Sequence, residues 1–161
     1  MNGFSRRDFL KQTAVLSGAA ALSGFGAAHA QEATSPMAIA KGAALPEQAD
    51  TVAIKALAEK LTRRAVEAVG GMGRFVSKGD VVWIKPNMAW NRTPEQGANT
   101  NPEVVATLVT LCLEAGAKQV KVGDNTCNDA RQSYPNSGIE AAAKAAGADI
   151  VYIDGNRFKD M

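Results

Sequence analysis

The residue types best suited to chemistry in this chain gather in two polar runs, "KPNMAWNRT" from Lys85 to Thr93 and "DNTCND" from Asp124 to Asp129. Each follows directly on an apolar segment. An ammonium at Lys85, at the end of such a segment, requires a counter-ion or an anionic ligand such as a phosphate or carboxylate. Asp124 is the evident partner within the chain, so a structural ion pair competes with ligand binding. Asn87, Arg92, Asn125 and Thr126 would line the same place and orient a cofactor or ligand. Asp124 and Asp129, with the Asn carbonyls, offer the oxygen donors that Mg²⁺ or Ca²⁺ prefers. Asp124 could instead transfer a proton, and Cys127, close in sequence to Arg131, could act as a thiolate ligand or nucleophile. Lys85, Asp124 and Cys127 are thus the candidate catalytic residues, and Asp124 and Asp129 the candidate metal ligands. For Asn128, Asp129 and Asn136 the competing reading is ordinary turn formation, in which Asp and Asn bond their own backbone.

Composition removes several alternatives. The chain of 161 residues has one histidine, His29. It falls within a segment that reads as a removable export signal: paired Arg6 and Arg7 in "SRRDFLK", a soft Ala/Gly/Ser run from about Thr13, and small residues at Ala28 and Ala30. Residues 1–30 are therefore expected to be a twin-arginine signal, handled by the Tat translocase and cleaved after Ala30, which would make the protein periplasmic or otherwise extracytoplasmic. Its glycines dilute a run already short of the roughly 20 apolar residues of a spanning helix, so no stable membrane span is expected. Without His29, the remaining chain has no Ser-His-Asp or Cys-His pair and no imidazole for a metal. Loss of Arg6, Arg7, Lys11 and Asp8 changes the balance from 18 basic and 16 acidic residues to 15 of each. A neutral chain without a basic stripe gives no support for a nucleic-acid partner. Two cysteines cannot ligate an iron–sulfur cluster that takes four thiolates. Cys112 sits among leucines as a packing residue, and a Cys112–Cys127 disulfide is the alternative that an oxidising compartment would permit.

The elements that must position these residues alternate in type. Residues 31–49 mix Ala, Pro, Gly and Gln without a period and read as a linker or draped arm. Asp50 is placed to cap a helix whose inward face would hold Val52, Leu57, Leu61, Ala65, Val66 and Val69, with Gly70 and Gly71 ending it. "DVVWIKP" from Asp80 reads as a strand buried on both faces. Asn101 as cap, Pro102 at the first helical position and Gly116 as terminator define a second helix, with Val104, Leu108, Leu111, Cys112 and Ala115 inward. "KQVKVGD" is a second strand, Gly138 to Gly147 a crossover helix, and Ala148 to Asp154 a third strand. Strand, helix, strand, helix, strand at this spacing predicts an α/β fold: an open parallel βαβαβ sheet with flanking helices and right-handed crossovers. Three parallel strands are few for an independent sheet, so residues 50–161 are expected to be the N-terminal portion of a larger domain. In such a sheet the ligand crevice lies beyond the carboxyl ends of the strands. Both polar runs begin there.

The run "GGMGRFVSKGDVVWIKPNMAWNRTPEQGANTNPEVVATLVTLCLEAGAKQVKVGDNTCNDARQSY" resembles the bacterial and archaeal family known as domain of unknown function 362, most specifically at "KPN", Lys85 to Asn87, and at "DNTCND". The similarity spans roughly Asp50 to Met161. Some members carry a twin-arginine signal or an appended ferredoxin-like iron–sulfur module, and members generally continue beyond this length. Many have cysteine where Ser133 stands, and that departure weakens the implication that this loop holds a redox pair or a cluster. With the export signal, the resemblance implies a redox-associated or metal-dependent exported protein, taking any iron–sulfur ligands or electron-transfer partner from outside this span. The alternative is a non-catalytic periplasmic binding module for a small anion.

Overall fold

The computed structural model describes residues 37–46 and 48–153. The expected export signal at 1–30, His29 and Asp154 lie outside the described residues. Within them, helix α1 (Thr51–Ala68) precedes strand β1 (Val81–Ile84), helix α2 (Pro102–Glu114), strand β2 (Gln119–Val122), helices α3 (Ala130–Asn136) and α4 (Ile139–Ala145), and strand β3 (Asp149–Ile150). The strands form one open parallel sheet in the order β1-β2-β3. Val81 pairs with Gln119 and Ile84 with Val122, while Lys121 pairs with Asp149. The α/β architecture follows.

Local chemistry sets the helix ends. The Asp50 carboxylate accepts from Ala53 N at 2.7 Å and opens α1. Asn101 Oδ1 accepts from Glu103 N at 2.9 Å, and Pro102 follows as the first residue of α2. Gly116 leaves α2 with φ of 99°, a left-handed turn that only glycine adopts without strain. Residues 37–46 carry no regular structure and run along α1. There a side chain on Gly42 would meet Leu57 Cδ1 at 2.7 Å. Arg63 of α1 ties to Glu114 of α2 through two bonds at 3.1 and 3.3 Å. That pairing raises the Arg63 pKa and lowers that of Glu114.

The core lies between one face of the sheet and the helices, where Val120 and Val122 meet Val105, Val109 and Cys112 of α2 and Ile139 and Ala143 of α4. Three expectations are corrected here. Strand β1 is not buried on both faces: Val82 and Ile84 pack inward, but Val81 is 57% exposed and Trp83 48% exposed, because the described helices cover one side only. In α2 the fully buried stripe is Val105, Val109 and Cys112, whereas Val104, Leu108, Leu111 and Ala115 are only partly buried. The helix touches α1, the sheet and α4 on different sides, so nearly its whole circumference is apolar and the amphipathic stripe does not select the deepest face. In α1, Val52 is exposed, while Leu57, Leu61, Ala65, Val66 and Val69 are half-buried.

Candidate functional site

Parallel pairing of β1 with β2 brings the two polar runs out side by side at the carboxyl ends of the strands. They are joined by direct bonds. Lys85 Nζ lies 3.1 Å from Asp124 Oδ1 and donates to Asn87 Oδ1 at 3.1 Å. The other Asp124 oxygen accepts from Met88 N at 3.0 Å. The Asp124 side chain is 4% exposed, while that of Lys85 is 59% exposed. The carboxylate is therefore an internal anchor, and the ammonium it holds opens to the crevice.

Tyr134, which the sequence did not single out, fixes Asp124 from behind. Its hydroxyl accepts from Asp124 N at 2.8 Å and lies 2.7 Å from Asp124 O and 3.2 Å from Val151 O, to which it can donate. Burial pushes the Tyr134 pKa up, so the phenol stays protonated. Its ring stacks on Tyr152 with centroids 4.6 Å apart. The signal available in the sequence is a large aromatic seven residues past Cys127 within a polar run. Asp, Asn, Ser and Pro dominate that run, and these residue types favour turns over a helix. In the structure the loop stops at Asp129, whose carboxylate accepts from Arg131 N at 2.9 Å and caps α3, and that short helix carries Tyr134 inward.

A second set of amides fastens the loops together further out. Asn91 N donates to Asn128 Oδ1 at 2.9 Å, Asn128 N to Ala89 O at 3.1 Å, and Asn91 Nδ2 to Gln132 Oε1 at 2.9 Å. Asn136 Nδ2 donates to Asn91 Oδ1. Asn128 and Asn136 thus do more than bond their own turns; they bridge segments some forty residues apart. Asp129, by contrast, acts locally as a cap.

The remaining candidates divide. Asn87 joins the Lys85 cluster directly. Arg92 turns its guanidinium onto Asn91 O at 2.8 Å, on the same loop. Asn125 and Cys127 are exposed and Thr126 is half-buried on the β2 loop. Both cysteines are free, Cys112 buried and Cys127 exposed, so the disulfide alternative is not realised. Burial raises the Cys112 thiol pKa, which suits packing rather than reactivity.

The donor set does not fit a divalent metal. Both Asp124 oxygens are engaged by Lys85 and Met88 N, Asp129 caps α3, and the described residues contain no group of three or more His, Cys, Asp or Glu placed to hold an ion. One exposed and one buried thiol likewise do not fit a four-thiolate cluster. A cavity of about 600 Å³ lies elsewhere, between α1, α2 and α4, with Ile54, Pro102, Ala106 and the α4 alanines among its lining residues. Its lining mixes apolar side chains with Thr51, Lys55, Glu95, Asn101 and Glu103, and Lys85 and Asp124 are not among its lining residues. The polar residues singled out from the sequence gather instead at the carboxyl ends of β1 and β2. Among the described residues no helix is long and apolar enough to cross a membrane.

Comparison with known proteins reaches no reaction. Thylakoid-associated protein sll1697 of Synechocystis sp. is 36% identical over 96 residues, which is 60% of this chain and 30% of that protein. The chain thus spans about 30% of the length of the curated relative it matches. No solved structure matches. Residues 82–161, which begin in β1 and take in both polar runs, match the model of a family described as Domain of unknown function (DUF362), and that match supports assigning this segment to the family.

Proposed function

We propose that the carboxyl-end crevice binds a small anionic ligand, with Lys85 as the group that meets its charge. One observation carries this reading: an ammonium clamped by two oxygens at 3.1 Å, on Asp124 and Asn87, yet 59% exposed. An ammonium has three donors, and the clamp takes two of them. The third is available to a ligand at a fixed position, so little side-chain freedom is lost on binding. Asn125, exposed on the β2 loop, and Arg92, on the β1 loop, are further donors within the two polar runs.

Export to an extracytoplasmic compartment belongs to the same proposal. It is supported by the paired arginines, soft apolar run and small-residue site of residues 1–30. A redox-associated protein is the second reading, favoured by the Cys127 thiol lying exposed on the β2 loop. Any cluster or electron-transfer partner would then come from elsewhere.

Calorimetric titration with inorganic phosphate tests the first reading. Lys85→Gln removes the charge but keeps a donor for Asp124, and is expected to weaken phosphate binding by about tenfold to a hundredfold, the worth of a charge-assisted hydrogen bond. Asp124→Asn is expected to change affinity in the opposite direction, since it frees the Lys85 charge from its carboxylate. Unchanged affinity in a folded Lys85→Gln protein defeats the proposal.

A further inference from the structure

We infer that Trp90 is a stacking platform, and that the anion met by Lys85 is the phosphate of a ligand with a planar ring, a nucleoside phosphate. This inference rests on the anion-binding reading above and names its substrate class.

Trp90 lies five residues beyond Lys85 on the same loop and is 49% exposed. A single exposed aromatic is ordinary on a protein surface. What distinguishes this one is how its backbone is held. Asn99 grips both ends of the residue: Trp90 N donates to Asn99 Oδ1 at 3.2 Å, and Asn99 Nδ2 donates to Trp90 O at 2.9 Å and reaches Arg92 O at 3.3 Å. Its neighbours are fixed across the crevice, Ala89 O by Asn128 N and Asn91 N by Asn128 Oδ1. The loop therefore cannot carry the indole into the core without breaking bonds to two separate segments. The rim consequently presents a half-exposed indole from a backbone held at a set position, with Lys85 and Arg92 on the same stretch of chain.

A half-exposed indole on the same loop as a held ammonium suits a ligand with a π-system and a negative group. A nucleoside phosphate has both, and stacking accepts any base because every base has a π-face. Free phosphate would use only the Lys85 part of the site.

Trp83 is the one other tryptophan in the chain, so Trp83→Phe leaves Trp90 as the sole indole reporter. In that background, adenosine monophosphate is expected to quench Trp90 emission saturably, to be displaced by excess inorganic phosphate, and to bind at least tenfold more tightly than phosphate. Calorimetry on Trp90→Leu should show adenosine monophosphate affinity lowered by about tenfold, the scale of one stacked base, with phosphate affinity unchanged. Trp90→Phe, which keeps a ring, should retain most of the affinity. Equal binding of the two probes, with no effect of Trp90→Leu, overturns the stacking role and leaves the anion site standing. Failure of both probes to bind defeats both readings.

Discussion

Asp124→Ala is expected to destabilise the domain by about 2–3 kcal/mol, more than other single changes in the crevice away from Tyr134, as measured by urea unfolding. The size follows from which groups lose partners. Lys85, already 59% exposed, can rehydrate once its carboxylate is gone, so the ion pair itself contributes little to the cost. Met88 is different: its backbone N–H donates to Asp124 Oδ2, and Met88 is fully buried. Removing the acceptor strands that donor away from water and leaves a hole beside it. Asp124→Asn keeps the volume and one acceptor oxygen, so it should cost about half as much. A loss below about 0.5 kcal/mol in Asp124→Ala would show that Asp124 does not anchor the β1 loop to β2.

Tyr134→Phe should cost about 2 kcal/mol by the same assay, although it removes one oxygen atom. That oxygen serves the backbone of both following segments, accepting from Asp124 N and lying within donor reach of Asp124 O and Val151 O. Phenylalanine preserves the ring and its stack on Tyr152 while leaving Asp124 N without an acceptor in a buried position. A pH signature accompanies the loss. Because burial raises the Tyr134 pKa, the folded state holds the phenolic proton more tightly than the unfolded chain. The corresponding stability is fully present below the unfolded tyrosine pKa of about 10 and declines as pH rises through the higher folded value. The wild-type protein should therefore lose stability above about pH 10 more steeply than Tyr134→Phe, whereas parallel curves would remove Tyr134 from this role.

Much of the frame was legible because local and periodic signals agreed. Asp50, Asn101 and Gly116 occupy the cap positions their chemistry favours, and alternation of apolar strands with helices fixed a parallel sheet, which in turn placed Lys85 beside Asp124. What was not legible depended on tertiary surroundings. Whether Val81 and Trp83 are covered depends on what packs against the outer face of the sheet, and an apolar run reads the same either way. The deepest stripe of α2 is set by three neighbours rather than by its own pattern. Polar residues and Pro135 within its seven residues hide helix α3 in the sequence, and with it the inward Tyr134 and the Asn91, Asn128, Gln132 and Asn136 bridges. Turn-forming residue types are chosen for their own backbone preferences, and those preferences do not reveal a partner forty residues away.

The double hold on Asp124, by Lys85 in front and Tyr134 behind, explains how an exposed ammonium can be kept in one position at the mouth of a parallel sheet. The cavity between α1, α2 and α4 is the competing location for a ligand, with apolar walls and the Lys55–Glu103 ion pair at 3.1 Å among its lining residues. An amide-resolved NMR titration with inorganic phosphate separates the two most directly. Saturable shifts confined to residues 85–92 and 124–131, and abolished in Lys85→Gln, are the expected result. Shifts clustered instead on Thr51–Lys55 and Ala141–Ala146, or no saturable shifts at all, would contradict an anion site at the carboxyl ends of the strands.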